Sequence, residues 1–90
     1  MNAQSPSRTD ELSGLLSHKA FQPIFDAALD KIKGSETPLC LAFIDIDHFA
    51  IINETYGHSG GDEVLRAGAE VLRALSPEGA AISRYGGDEF

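Results

Sequence analysis

Two short stretches hold most of the residues able to do chemistry. Asp45 and Asp47 alternate with isoleucines in "FIDID", and Asp88 and Glu89 follow two glycines in "SRYGGDEF". Carboxylates are hard oxygen donors of the kind Mg²⁺ takes, and Mg²⁺ keeps positions for water and substrate phosphates. If the segment ending at Asp45 lies beside the one running into Gly86, Asp45 and Asp88 converge, and a backbone carbonyl completes an oxygen site. Each residue also has a plainer reading. A Gly-Gly-Asp turn on its own is ordinarily a hairpin in which glycine supplies positive φ. Asp47 and Asp62 are good helix N-caps, Asn53 suits a helix end, and His58 in a glycine-rich loop suits a solvated turn.

The elements that must position these groups follow from apolar periodicity. Phe21, Ile24, Phe25, Ala28, Leu29 and Ile32 recur at the spacing of one helix face, ended by Gly34 and Ser35. Leu39 to Ile44 is an unbroken apolar run after Pro38, which predicts a central strand buried on both faces and presenting Asp45 at its end. Ligands of α/β sheets bind at such strand ends. A short helix follows, with Asp47 as cap and Phe49 and Ile52 turned inward. "YGHSGGDEVL" is a glycine-rich joint into a longer helix starting at or just before Asp62, whose stripe is Val64, Leu65, Gly68, Val71, Leu72 and Leu75. "SPEG" breaks that helix, and Ala80 to Tyr85 reads as a strand running into the Gly86-Gly87-Asp88 turn. The predicted class is α/β, an α+β sandwich with helices packed on a sheet. Residues 1–8 are polar and aperiodic and read as a linker remnant or added tail; residues 9–90 are the folded unit.

Bulk properties narrow the function classes. Ninety residues, 42% of them hydrophobic, make one small soluble domain. A net charge of −7 repels nucleic-acid backbone. No apolar run has the ~20 residues of a membrane span, and the polar start is no signal peptide, so membrane contact by this segment is not expected. The single cysteine, Cys40, excludes an internal disulfide and is expected as a buried thiol in a reducing cytoplasm.

These pieces in this order closely resemble the GGDEF domain of diguanylate cyclases: "FIDIDHFAIINETYGHSGGDEVL", then "ISRYGGDEF", with "DELSGLLSHKAF" similar to the family's entry motif. The resemblance implies a nucleotidyl-cyclase/ferredoxin-like palm fold with a mostly antiparallel sheet, of which residues 9–90 are the N-terminal half. It implies condensation of two GTP molecules into cyclic di-GMP, with Mg²⁺ as cofactor and Mn²⁺ as substitute. A homodimer holds one GTP per subunit, and an upstream sensory domain is a common companion. By similarity, Asp45, the carbonyl of Ile46, Asp88 and Glu89 serve the metal, and Asp88 is also the base for the ribose 3′-hydroxyl. Asn53 and Asp62 match positions that read guanine, His58 matches another substrate contact, and Gly86 and Gly87 let the backbone approach the nucleotide.

Departures qualify the implied activity. The family's "DHFKxIN" carries a lysine regarded as stabilising the transition state, and Ala50 stands there. The entry motif LTGLxNRR reads "LSGLLSHK", and the product-inhibition motif R-x-x-D is replaced by "PEGA" from Pro77 to Ala80, which predicts no feedback site of that kind. The family's domain is roughly twice this length, so the chain alone is expected to be inactive. Two alternatives stand beside the enzyme: a non-catalytic module that binds GTP or a protein partner, and a fragment with no separate role.

Overall fold

The structure, a computed structural model, describes residues 8–90, so the expected tail lies outside the described residues apart from Arg8. The chain enters through a loop folded around Asp10. The Asp10 amide donates to the Leu15 carbonyl at 2.7 Å, and the Gly14 amide donates to the Asp10 carbonyl at 2.7 Å. Gly14 takes φ 74°, the left-handed region that favours glycine. This loop turns Leu15 into the core and delivers Ser17, whose hydroxyl accepts the Ala20 amide at 3.1 Å and caps α1 (His18–Ile32). The helix ends as the sequence predicts, at Lys33, with Gly34 at φ 73°.

The next helical element, α2 (Phe49–Leu75), is two arms joined at Gly57, whose φ of 78° and ψ of 175° are not helical. The expected glycine-rich joint is therefore real, but the second arm follows Gly57 directly instead of beginning near Asp62. The expected Asp47 cap is not used. His48 takes the N-cap position in the left-handed region, φ 59°, without a side-chain cap bond.

The core is small. Leu15, Leu65, Ala69 and Phe90 are buried, and Leu12, Ile46, Phe49, Leu72 and Ile82 pack against them. The predicted stripe of the longer helix holds at Leu65, 2% exposed, and fails at Leu75, 78% exposed, because the entry loop and the Phe90 turn cover only the middle of that arm. Gly68 lies beside them: a β-carbon there would stand 3.8 Å from the Phe90 ring.

The predicted sheet is the main correction. Among the described residues, β-pairing consists of isolated bridges: Thr9 with Leu16, Leu16 with Ser83, and Asp45 with Glu89. The run Leu39–Ile44, expected to be buried on both faces, is exposed, with Phe43 at 65%, and Cys40 is exposed too. The physical reason is where its backbone bonds go. Residues 39–44 and 80–85 do not form a ladder with each other; they flank a cavity of about 450 Å³, lined also by Phe21 and Phe25 of α1. The two runs meet where the Phe43 and Tyr85 rings pack edge-on, 5.0 Å apart.

Candidate functional site

At the head of this cavity the chain turns back on itself. The Tyr85 and Gly86 amides both donate to the Glu89 carbonyl, at 2.8 and 3.3 Å, closing a turn over residues 85–89. Gly86 and Gly87 are not among the positive-φ glycines, so the expected left-handed turn is corrected. A β-carbon on Gly86 would instead meet the Glu89 carboxylate, the far end of a flexible side chain that could turn aside. Space around Gly87 is open on that side.

Residues 88–90 run back from this turn, and their partner is the "FIDID" segment. Ile44 and Phe90 exchange both backbone hydrogen bonds, at 2.7 and 2.8 Å, and the Ile46 amide donates to the Asp88 carbonyl at 3.1 Å. In antiparallel register this sets Asp45 directly opposite Glu89 and Ile46 opposite Asp88. Directly opposed residues share one face of a pair. The carboxylate facing Asp45 across the pairing is therefore that of Glu89, with Asp88 one position along the same short segment.

Mg²⁺ suits an all-oxygen donor set, and the carboxylates of Asp45, Asp88 and Glu89 with the Ile46 carbonyl are of that chemistry. Among the described residues no three acidic, His or Cys side chains are gathered into a ready metal cluster. The register thus sets Asp45 opposite Glu89 and Ile46 opposite Asp88 at one edge, oxygen donors of the chemistry Mg²⁺ takes.

The second group of predicted residues lies on α2. Asn53 and Gly61 are eight residues apart, which is about 12 Å along a straight helix. The Gly57 kink folds the arms so that the Asn53 side-chain oxygen lies where a Gly61 β-carbon would be, with the Phe49 ring 3.2 Å from the same point. Asn53 is thereby brought against Gly61, the buried residue preceding Asp62, and Asn53 and Asp62 are both half-buried. His58 and Ala50 are exposed.

A model described as "Diguanylate cyclase, GGDEF domain" matches residues 7–90. The chain belongs to the GGDEF family of diguanylate cyclases. This GGDEF chain is 38% identical over 87 residues to diguanylate cyclase VdcA of Vibrio cholerae, covering 97% of the chain and 24% of that protein. It is 34% identical over 84 residues to cyclic di-GMP phosphodiesterase NbdA of Pseudomonas aeruginosa, covering 93% of the chain and 11% of that protein. Among solved structures it is similar to the GGDEF domain of DgcB from Caulobacter crescentus in complex with c-di-GMP. The TM-score is 0.89 at 38% identity, over 100% of this chain and 51% of that one. The GGDEF chain thus spans about half of that solved domain and a quarter or less of these curated relatives. The chain thus shares its fold with solved GGDEF domains, while β-pairing among its described residues is limited to isolated bridges.

Three further residues were missed by sequence reasoning. Arg84 Nη1 donates to both Asp10 carboxylate oxygens at 3.2 and 3.3 Å, while its Nε and Nη2 donate to the Gly87 carbonyl at 3.2 and 2.8 Å. Arg73 Nη2 donates to the Ser13 carbonyl at 2.6 Å. Burial pushes the Asp10 carboxyl up, but hydrogen bonds from the Ser13 amide and hydroxyl and the Arg84 charge outweigh it and hold the group below its ordinary value. The one signal in the sequence was Asp10 three residues before Ser13, a spacing at which Asp accepts local backbone bonds. Nothing local announced Arg84 as its partner.

Proposed function

We propose that this chain is the GTP-handling half of a diguanylate cyclase domain, which condenses two GTP molecules into cyclic di-GMP. The observation that supports this best is the register at the turn, with Asp45 facing Glu89 and Ile46 facing Asp88. It puts the acids of two separate segments at one edge, as a triphosphate–metal site requires. Asp88 takes the proton of the ribose 3′-hydroxyl, whose oxygen bonds to the α-phosphorus of the second GTP as pyrophosphate leaves; a second such step closes the ring. Asp45, Asp88, Glu89 and the Ile46 carbonyl would hold Mg²⁺ or Mn²⁺, and the bound ion would supply neutralisation of phosphate charge. Asn53 and Asp62 present an amide and a carboxylate that match the carbonyl and N–H edge of guanine, and His58 adds a substrate contact. The open side of Gly87 leaves room for the nucleotide. Two subunits, each with one GTP, meet to react in the cytoplasm, under control of an upstream sensory domain.

The test is incubation with GTP and Mg²⁺, reading cyclic di-GMP by chromatography. The 90-residue chain is expected to be inactive, and a polypeptide carrying the rest of the domain active. Product from the short chain overturns the first expectation; no cyclic di-GMP from the longer one sinks the cyclase reading.

A non-catalytic GTP-binding or protein-interaction module is the second reading. It is favoured by exposed Ala50 where the resembled motif has lysine, and by similarity to a protein named a phosphodiesterase.

A further inference from the structure

Asp88 is held by its backbone on both sides. Its own carbonyl accepts the Ile46 amide at 3.1 Å. The carbonyl before it, that of Gly87, accepts two donors from the Arg84 guanidinium. Gly87 O and the Asp88 amide belong to one rigid peptide plane, so Arg84 sets the direction in which the chain enters Asp88. Arg84 is itself aimed. Its third nitrogen donates to the Asp10 carboxylate, and that carboxylate is fixed by the Ser13 amide and hydroxyl, both at 2.8 Å. The pair is shielded, with side-chain exposures of 20% for Arg84 and 23% for Asp10, so water screens it less than an ordinary surface ion pair. A planar fork engages a carboxylate and a carbonyl at once, which a lysine cannot copy.

We infer that Asp10 and Arg84 are positioning residues for Asp88: the entry loop, acting through the Arg84 guanidinium, sets the Gly87–Asp88 peptide and with it the placement of the acid at the metal edge. The inference rests on the proposed function for its consequence but not for its geometry. A change in the entry loop is then felt at Asp88 without any contact between the two.

Asp10→Asn removes the charge that aims Arg84, and Arg84→Lys keeps the charge and loses the fork. Amide hydrogen exchange of Tyr85, Ile46 and Phe90, whose hydrogen bonds close the turn, is read by NMR in the 90-residue chain. Each variant is expected to speed exchange there about tenfold or more, with Leu65 and Ala69 in α2 unchanged. The double variant should be no faster than the quicker single one, because the two residues act in series. Unchanged exchange at the three amides, or an equal rise at Leu65 and Ala69, overturns the inference. Mn²⁺ affinity by electron paramagnetic resonance is the second readout, expected to fall several-fold in both variants; an affinity equal to the parent's overturns the inference as well. A parent chain that takes no Mn²⁺ counts against the metal reading instead, and the exchange result still decides the role of Asp10 and Arg84.

Discussion

The Asn53 side-chain oxygen occupies the space a β-carbon on Gly61 would fill, although a straight helix would hold the two residues about 12 Å apart. Gly61→Ala must therefore push Asn53 and the Phe49 ring aside, and is expected to destabilise by about 1–3 kcal/mol. Gly68→Ala is the control. Its β-carbon meets the Phe90 ring at an ordinary 3.8 Å, and the substitution should stabilise by about 0.5–1 kcal/mol through helix propensity. Urea midpoints of the two variants should move in opposite directions; a shared direction refutes the close contact at Gly61.

The Asp10 carboxyl is held below its ordinary value of 3.8, so deprotonation favours the folded state. Its contribution is fully present above that ordinary value and is lost as pH falls through the lower folded one. Wild type should exceed Asp10→Asn in stability by a constant margin near neutrality, and the margin should shrink through the acid range. A margin that persists unchanged at the acid extreme contradicts the ion pair.

Ser83 is 7% exposed, and its hydroxyl has no hydrogen-bond partner among the described residues. A buried hydroxyl without a partner carries a desolvation penalty of about 1–3 kcal/mol. Ser83→Ala should raise the thermal midpoint; a lower midpoint shows that the hydroxyl is satisfied in solution.

Ala50 stands exposed at the second position of α2. In a polypeptide that carries the rest of the domain, Ala50→Lys should raise turnover on the order of 10²-fold if a cation is what the site lacks, by analogy with other electrostatic donors. Steady-state rates at saturating GTP decide this. No turnover in either form favours the regulatory module.

Local signals carried the helices well. Gly34 and the Gly57 joint stop or bend the chain where the sequence places them, since glycine's freedom acts within a residue or two. The strands were legible only as apolar runs, because pairing depends on what lies alongside. Leu39–Ile44 has the composition of a buried strand and yet borders a cavity. The site was half legible. Asp45 and the Gly-Gly-Asp-Glu turn were expected together, but which acid faces Asp45 is a matter of register, and a one-residue shift exchanges Glu89 for its neighbour. Arg84 was illegible because its partners are Asp10, 74 residues upstream, and a backbone carbonyl, which no residue type announces.

That separation of 74 residues also orders events in time. During synthesis at 5–20 residues per second, Asp10 waits about 4–15 s for Arg84 to be made. α1 and both arms of α2 can wind from neighbouring residues in that interval. The Asp10 loop reaches its final form only when the acidic turn emerges, so a segment made before both helices settles after them.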